Sequence, residues 1–256
     1  MAGIHEPLIE NKDIKLKVRV TELAPDVFAF LRHQDNIGEQ VIKDSLSLVK
    51  NMKAAKRAGE SQGKSGSFFF FSNDQNFIIK TMTNSDLETF TRIFKDYSHH
   101  ICKYPNSLLA RIYGVFTIEK DDMVPVHLIL MGNTMKTKYL KRVFDLKGSL
   151  VNREVKFKPG QQPKPSSTLK DKNLLNYRRA ADKFLNFNSR DQADIVRQMK
   201  RDSDFLMRKN IMDYSVLLAV EYNAKSRRIT EYMQNRSTSK SVKDNHYIST
   251  NLQLPS

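Results

Sequence analysis

The N-terminal part of the chain predicts two helices, because apolar residues recur there at intervals of three and four. The first helix is predicted within residues 21–37, behind a possible cap at Thr21, and the second within residues 38–52. Residues 53–67 then lose their apolar content and gain Gly, Ser and Lys, which is typical of a flexible loop. We therefore expect a helical segment that leads through a loop into a different kind of structure.

A β-hairpin is predicted directly after this loop. Residues 68–71 are all phenylalanine, residues 77–81 are mostly aromatic or β-branched, and the SNDQN between them contains an Asn-Asp turn signal. An amphipathic helix follows, in which Ser85 and Glu88 have the spacing of a capping box. Three more strands are predicted within residues 108–120, 124–132 and 139–149.

The C-terminal half predicts fewer regular elements. Residues 155–167 are rich in Pro, Lys and Gly and predict an exposed loop. A second amphipathic helix is predicted behind a Ser189 cap, and it leads into a strand-like run at residues 211–222. From Asn223 onward the chain is polar and has no sustained periodicity, so we expect a disordered or poorly packed tail.

The composition narrows the class of partner. Forty-three Lys and Arg against 28 Asp and Glu leave a net charge of +15. This excess favours nucleic acid, nucleotide phosphates or an anionic membrane surface. Cys102 is the single cysteine, which excludes an intrachain disulfide and indicates a reducing compartment. No apolar run approaches the ~20 residues that cross a bilayer, so we expect any membrane contact to be peripheral.

Lys80 is a charged residue in an otherwise apolar strand, 14 residues after Gly66, and the predicted hairpin brings it to the end at which the glycine loop lies. Backbone N–H groups of a glycine loop and a half-buried lysine together can hold nucleotide phosphates. Equally, Lys80 can extend its charge to solvent from an edge strand beside a loop that is merely flexible. Strand spacing alone leaves these two interpretations open.

Three further residues are candidates for the chemistry of phosphoryl transfer, which needs carboxylates near the attacking hydroxyl and at Mg²⁺. Asp213 is an acid within an apolar stretch, where a helix-to-strand cap competes with a functional role. Asp145 and Lys147 are two residues apart on one strand, so they share a face. A mutual salt bridge between them is the simpler explanation.

A set of basic residues along the middle of the chain predicts contacts with phosphates of lipid headgroups or nucleic acid, although such charges are more often a solvated surface. The phenylalanine run is not interleaved with basic residues, which argues against a platform for base stacking. The basic residues are Lys136, Lys138, Lys141, Arg142, Arg153, Lys156 and Lys158.

The stretches GKSGSFFFF, FIIKTM, YGVF, FDLKGS, TLKDKN and RKNIMDYSVLLAV occur in this order. Together they closely resemble the phosphatidylinositol phosphate kinase family, and the 4-phosphate 5-kinases in particular, over about residues 28–220. The resemblance implies an α+β fold with two lobes, distantly like protein kinases, in which helices pack on antiparallel sheets. It also implies use of ATP and Mg²⁺ to phosphorylate a phosphatidylinositol monophosphate, most familiarly the 4-phosphate to the 4,5-bisphosphate.

The same resemblance implies a domain organisation. Residues 1–62 match an N-terminal helical segment and loop, and residues 63–131 match an N-terminal lobe with glycine loop, hairpin and amphipathic helix. Residues 132–222 match part of a C-terminal lobe, and residues 223–256 are the expected tail. A phosphoinositide lipid and an anionic membrane are the implied partners, at the cytoplasmic face of membranes, with a homodimer through the N-terminal segment as a further possibility.

Nucleotide and catalytic positions are also carried over by the resemblance. Lys80 matches the lysine that contacts the ATP phosphates in the family. The resemblance therefore favours nucleotide binding over the other interpretation of Lys80 given above. Gly63, Ser65 and Gly66 match the loop over these phosphates. Asp213 matches the catalytic aspartate beside the accepting hydroxyl.

Substrate-binding positions follow in the same way. Asp145 and Lys147 match the Asp-Leu-Lys-Gly-Ser signature near the cleft. Arg153 matches a basic position that the family uses on the phosphate already present on the lipid. Asp86 and Glu88, in the helix after the hairpin, are both candidates to pair with Lys80, and the sequence does not choose between them.

The chain departs from the family pattern in two ways. Ala219 stands where a glycine is usual, and the strand ending Ile-Ile-Asp, whose aspartate holds Mg²⁺ in the family, is not recognisable, nor is the lysine-containing loop that selects the lipid. The resemblance therefore predicts a C-terminally truncated member with unidentified metal ligands. A noncatalytic protein that binds nucleotide or phosphoinositide at a membrane is the alternative, and a nucleic-acid partner is not expected.

Overall fold

The structure is a computed structural model that describes residues 18–52, 68–137, 139–180, 187–221 and 248–253. Helices pack on two sheets that are almost entirely antiparallel, which confirms the α+β prediction. The strands are β1 (Val18–Glu22), β2 (Phe69–Phe71), β3 (Phe77–Met82), β4 (Ile112–Lys120), β5 (Val126–Gly132), β6 (Leu140–Leu146), β7 (Thr168–Leu169), β8 (Ser215–Glu221) and β9 (Ile248–Gln253). The helices are α1 (Pro25–Gln34), α2 (Glu39–Ser45), α3 (Asn84–Lys103), α4 (Asp171–Ala180) and α5 (Ser189–Arg208).

The first sheet has five strands in the order β1-β4-β5-β3-β2, and all of its neighbours are antiparallel. The predicted hairpin is confirmed: Phe70 lies opposite Ile79, and β3 is an interior strand between β2 and β5. The second sheet has the order β7-β6-β8-β9, in which β6 and β7 form the single parallel pair. Lys80 lies on β3 and Asp145 lies on β6, so each of these candidate residues is on an interior strand of its sheet.

All three predicted helix N-caps are wrong by one to three residues. Thr21 lies in β1, and the N-cap of α1 is Ala24, which has no side-chain cap hydrogen bond. The capping box of α3 consists of Thr83 and Asp86, whose side chains and backbone N–H groups bond each other at 3.1 and 2.9 Å. These replace Ser85 and Glu88, because Thr83 is the residue with extended backbone before the first helical turn. At α5 the side chain of Asn188 accepts the first N–H, and Ser189 is already helical.

The second predicted N-terminal helix is interrupted: α2 ends at Ser45, and residues 48–52 are helical again after a short break. The carbonyl oxygen of Ser45 accepts from the side-chain amides of Asn51 and Asn73, and its hydroxyl donates to Asp74 at 2.6 Å. These polar contacts compete with continuation of the helix. Burial acts to raise the pKa of Asp74, but hydrogen bonds from Ser45, Ser72 and Asn76 outweigh it and lower that pKa to about 2. The β2–β3 turn is thereby fastened to the end of α2.

Part of the expected tail is a strand. β9 pairs antiparallel with β8, with Leu217 opposite Asn251 and Ser215 opposite Gln253, so the prediction of disorder is wrong for residues 248–253. Polar strands lack the apolar alternation on which the prediction relied, but an available sheet edge can still recruit them through backbone hydrogen bonds. The other residues after Glu221 lie outside the described ranges.

The largest apolar core joins α1, α3, β4, β5 and the C-terminal end of α5. Phe28, Phe90, Ile112 and Leu206 are almost completely buried in it. A smaller core packs α4 against β6 and β8, and a third lies between the first sheet and α2. Within the described residues no helix is both long and apolar enough to cross a membrane.

A buried carboxylate, Asp202, joins α5 to α3 and to the loop that follows α3. Its oxygens lie 2.6 Å from His100 Nε2, 2.9 Å from Ser107 Oγ and 2.6 Å from the backbone nitrogen of Leu108. Gln198, one turn earlier on α5, donates at 3.0 Å. Burial acts to raise the pKa of Asp202, but these hydrogen bonds outweigh it and lower the pKa below 3.8.

Asp202→Ala is expected to lower the free energy of unfolding by about 3 kcal/mol, because it leaves several buried polar groups without an acceptor. Asp194→Ala on the same helix removes only an exposed ion pair with Arg197 and should cost less than about 1 kcal/mol. Urea denaturation measures both. Because the folded pKa of Asp202 is lowered, its contribution is complete above pH 3.8 and is lost as the pH falls through the folded pKa. A difference between native chain and variant that grew in acid would contradict this assignment.

Candidate functional site

A cavity of about 990 Å³ lies between the two sheets, and the predicted site residues that the structure describes all line it. Lys80 comes from β3, Asp145 and Lys147 come from β6 and the turn after it, and Asp213 lies between α5 and β8. Arg153 follows in the long connection to β7. Gly63, Ser65 and Gly66 lie outside the described residues, so their position over nucleotide phosphates stays a prediction.

Lys80 is half-buried on the interior strand β3, opposite Phe69 on one side and Ile129 on the other. This position excludes the edge-strand interpretation. Its ammonium lies 5.5 Å from the centroid of the Phe69 ring, a distance typical of a cation–π contact. Burial lowers the pKa of Lys80, and the nearby Asp86 carboxylate opposes that shift. Of the two acids left open by the sequence, Asp86 is therefore the one that acts on Lys80.

Asp145 and Lys147 do not form the mutual salt bridge that their spacing allows. Asp145 Oδ2 is 3.2 Å from Arg153 Nη2, whereas Lys147 Nζ is 3.9 Å from Asp213 Oδ1. The strand ends at Leu146, so Lys147 no longer shares the strand face of Asp145. Asp145 Oδ1 is buried and has no hydrogen-bond partner among the described residues. An oxygen of this kind is suited to accept a cation or a donor from a bound ligand.

Asp171, at the first turn of α4, is a site residue that sequence reasoning missed. Its Oδ1 accepts from the backbone nitrogens of Lys147 and Gly148 at 3.1 and 2.9 Å, and its Oδ2 accepts from Arg153 Nε at 2.7 Å. Gly148 has φ +70°, a conformation that favours glycine. Burial acts to raise the pKa of Asp171, but the bonds from Arg153 and the backbone outweigh it and lower the pKa. The available signal was an acid within the TLKDKN motif, directly before a helix.

Arg153 is mostly buried between two carboxylates. Besides its bonds to Asp171 and to the Asp145 side chain, Nη2 donates to the Asp145 carbonyl oxygen. Burial acts to lower the pKa of Arg153, and Asp171 and Asp145 outweigh it and raise the pKa. The remaining nitrogen, Nη1, has no hydrogen bond to any described residue. Arg153 thus fixes the turn after β6 and has one nitrogen left for a ligand.

The position of Asp213 follows from the way in which α5 ends. Ile211 N donates to Leu206 O at 3.0 Å and Asn210 N donates to Met207 O at 3.0 Å, with Asn210 at φ 55°. This is a Schellman motif, and it buries Ile211 beside Leu206 in the largest core. The C-cap is Lys209, so the interpretation of Asp213 as a cap is wrong. Asp213 itself has φ 57° and a side chain that is 80% exposed at the cavity.

The basic residues of the middle segment do not share one environment. Lys136 donates to Asn76 Oδ1, and the Arg142 guanidinium lies 5.8 Å from the centroid of the Tyr177 ring. Lys156 and Lys158 are exposed. Lys138 lies outside the described residues. Among the residues that the structure describes, no group of three or more His, Cys, Asp or Glu side chains is arranged to hold a metal ion.

Comparison with known proteins identifies the family. A family model described as Phosphatidylinositol-4-phosphate 5-Kinase matches residues 50–253. The chain belongs to this family. It is 35% identical over 203 residues to a probable phosphatidylinositol phosphate kinase of Dictyostelium discoideum and 38% identical over 173 residues to phosphatidylinositol 4-phosphate 5-kinase 1 of Arabidopsis thaliana. It is 29% identical over 215 residues to phosphatidylinositol 5-phosphate 4-kinase type-2 alpha of Gallus gallus.

The aligned regions cover most of this chain but a smaller share of the length of each relative. They cover 78%, 66% and 83% of the chain, against 27%, 21% and 50% of the three relatives in the same order. The chain therefore spans half or less of the length of each of these relatives.

Asp171→Asn should loosen the turn after β6, because a neutral amide is a weaker acceptor for two N–H groups and loses the ion pair with Arg153. We expect the free energy of unfolding to fall by about 2 kcal/mol. Amide hydrogen exchange of Lys147 and Gly148 should become faster while that of Phe144 in β6 stays unchanged. Asp121→Asn, on the exposed β4–β5 turn, is the control. Unchanged exchange at Lys147 and Gly148 would show that Asp171 does not hold the turn.

Proposed function

We propose that the chain forms the ATP- and lipid-binding part of a kinase that phosphorylates a phosphatidylinositol monophosphate, and that the substrate is phosphatidylinositol 4-phosphate. The observation that carries the proposal is the convergence of Lys80, Asp145, Lys147, Arg153 and Asp213 on one cavity. Phosphoryl transfer depends mainly on positioning and on electrostatic stabilisation, so its groups have to meet at one site. Family membership supports the same reaction class.

The two sheets correspond in this proposal to the two lobes of a fold distantly like that of protein kinases. The five-stranded sheet with α3 supplies Lys80, and the four-stranded sheet with α4 and α5 supplies the acids and the other cations. ATP enters between them, with its phosphates at Lys80. A desolvated ammonium attracts phosphate oxygens more strongly than an exposed one, because less solvent screens its charge.

Asp213 lies beside the accepting inositol hydroxyl and takes its proton. A carboxylate with high exposure at the cavity can reach a hydroxyl that enters from solvent. The Lys147 ammonium lies 3.9 Å from the Asp213 carboxylate. Its positive charge can attract both this carboxylate and the incoming phosphate, and so reduce the repulsion between them. Arg153 contacts the phosphate already on the lipid through Nη1, since its other guanidinium nitrogens bond Asp145 and Asp171.

Mg²⁺ fits the oxygens available in the cavity. Asp145 would hold it, because Asp145 Oδ1 is buried without a partner among the described residues and Mg²⁺ prefers carboxylate oxygens. When bound, the ion neutralises charge on the phosphates. The sequence of β9, ISTNLQ, which pairs with β8, contains no carboxylate.

The protein acts in the cytoplasm as a peripheral protein at the cytoplasmic face of membranes. The +15 net charge supports attraction to anionic lipid. A homodimer through the N-terminal segment stays a prediction from the family resemblance.

A second candidate function is noncatalytic binding of nucleotide or phosphoinositide at the membrane. Two observations favour it. No three-residue metal cluster exists among the described residues, and Asp213 is held by a single ion pair at 3.9 Å rather than by a network. Such a protein would retain Lys80 and Arg153 for binding and transfer no phosphoryl group.

Asp213→Asn should separate binding from transfer. We expect unchanged ATP affinity but at least a ~100-fold loss of radiolabelled phosphate transfer to phosphatidylinositol 4-phosphate, the usual range for loss of a general base. Lys80→Met should instead weaken ATP binding roughly tenfold, as loss of a charged hydrogen bond does. Lys95→Met, exposed on α3, is the control for charge.

Transfer by the native chain itself is expected to be slow, because Asp145 is the one carboxylate proposed to hold Mg²⁺ and the sequence of β9 adds no second acid. ATP binding without detectable transfer would favour the second candidate function. Rapid transfer that survives Asp213→Asn would show that another residue is the base.

Arg153→Ala should weaken binding of inositol 1,4-bisphosphate, the soluble headgroup of the proposed substrate, by about tenfold while leaving ATP binding intact. Calorimetric titration measures both ligands. Asp171→Asn is the matched variant, because it removes the same ion pair but keeps the guanidinium. Equal loss of headgroup binding in both variants would mean that Arg153 acts by fixing the turn and not by contact with phosphate.

A further inference from the structure

The connection that leaves β6 is held firmly from one side. We call residues 147–158 the rim segment, since Lys147, Arg153, Glu154 and Val155 line the cavity. Its first turn is bonded to Asp171, as described above. Its last part is bonded to Asn173, whose side chain accepts from Val155 N and donates to Val155 O, both at 2.9 Å. All of these anchors lie at the start of α4.

The opposite side of the rim segment carries apolar and basic side chains into solvent. Leu150 is 51% exposed and Val151 is 77% exposed, at a turn where Asn152 has φ 55°. Further along, Val155 and Phe157 pack on the core of the second sheet. Lys156 and Lys158, which alternate with them, are exposed.

An anionic lipid bilayer fits this combination. Two apolar side chains are far too few for a stable protein interface, which buries on the order of 1,200–2,000 Å². Shallow insertion of a few apolar side chains, assisted by cations at lipid phosphates, is how peripheral proteins bind membranes. Anchoring on α4 also matters, because a turn that is already ordered loses little conformational entropy when it inserts.

We propose that the rim segment docks on the surface of an anionic bilayer, with Leu150 and Val151 in the boundary between headgroups and acyl chains. Lys156 and Lys158 then lie at the lipid phosphates. The proposal rests on the proposed function in one respect: the segment that touches the bilayer also lines the cavity, so docking brings the cavity to the lipid headgroups. Attraction to the bilayer itself requires no phosphoinositide.

The first experiment measures sedimentation with phosphatidylcholine vesicles that contain phosphatidylserine and no phosphoinositide. Leu150→Asn/Val151→Asn should weaken binding by about tenfold, because polar side chains gain nothing from leaving water. The matched control is Met123→Asn/Val124→Asn, an equally exposed apolar pair on the β4–β5 turn, at 58% and 83% exposure. Native binding to the anionic vesicles with an unchanged control supports the proposal. Absence of native binding, or equal weakening by both pairs, overturns it.

A second experiment reports insertion directly. The chain contains no tryptophan, so Val151→Trp introduces a single tryptophan, whose emission can be excited apart from that of the tyrosines. Its emission should shift to shorter wavelength on anionic vesicles and be quenched by brominated acyl chains, whereas Val124→Trp should show neither effect. Thermal unfolding of each variant verifies that it is folded. A Val151→Trp protein that binds vesicles with unchanged emission overturns insertion.

The charge component is tested with Lys156→Gln/Lys158→Gln, which should weaken vesicle binding roughly tenfold at low salt, and less at high salt. Arg92→Gln/Lys95→Gln removes the same charge from the exposed face of α3 and should have a smaller effect. Equal effects of the two pairs would assign binding to net charge alone, and tighter binding to RNA than to vesicles would replace the bilayer by nucleic acid; either overturns the proposal.

Failure of the proposed function is distinguishable from failure of docking. Calorimetry with ATP and inositol 1,4-bisphosphate tests the cavity without a membrane, and the phosphatidylserine vesicles test the rim segment without substrate. Vesicle binding that depends on Leu150 and Val151 in a chain that binds neither soluble ligand would retain docking and reject the kinase proposal.

Discussion

The Asp202 carboxylate is completely buried and has four hydrogen-bonding neighbours. Three of them lie on α3 or the loop after it, between 94 and 102 residues before Asp202 in the sequence. Its position allows α5 a single register against α3, because a shift of one turn would leave a buried charge without hydrogen-bond partners. Apolar packing alone is less selective, because similar side chains recur every turn. The placement of α5 against α3, and hence of Asp213 in the turn that follows α5, depends on this contact.

The positions of Lys80's neighbour Asp86 and of Asp213 follow from the ends of α3 and α5. The N-terminal end of α3 places the Asp86 carboxylate near enough to Lys80 to oppose the lowering of its pKa, and α5 ends in the Schellman motif at Asn210, shortly before Asp213. Asp171 supplies the third constraint, because it fixes Arg153 and the turn after β6 together. Residues from separate parts of the sequence therefore meet at the cavity, and of these only Asp145 and Lys147 share a motif.

Local patterning predicted the elements well and their interactions poorly. The hairpin, the β4 and β5 strands and the amphipathic helices follow from periodicity, and the motif order pointed to Lys80, Asp145 and Asp213. Pairing did not follow. Nothing in the spacing of Asp145 and Lys147 shows that Arg153 and Asp213 are their partners, because that choice depends on where β6 ends and on Asp171. β9 was missed for a related reason, since its partner strand and not its own composition makes it a strand.

Two carboxylates of the cavity differ in how firmly their backbone is held. Asp145 lies on a strand that is hydrogen-bonded on both sides, whereas Asp213 lies in a turn between elements with most of its side chain in water. Amide hydrogen exchange should be slower near Asp145 than near Asp213, because local opening costs more free energy in an interior strand than in a turn. A ligand that engages Asp213 has to immobilise this turn and loses free energy in doing so, whereas a ligand that engages Asp145 meets a strand that is already ordered.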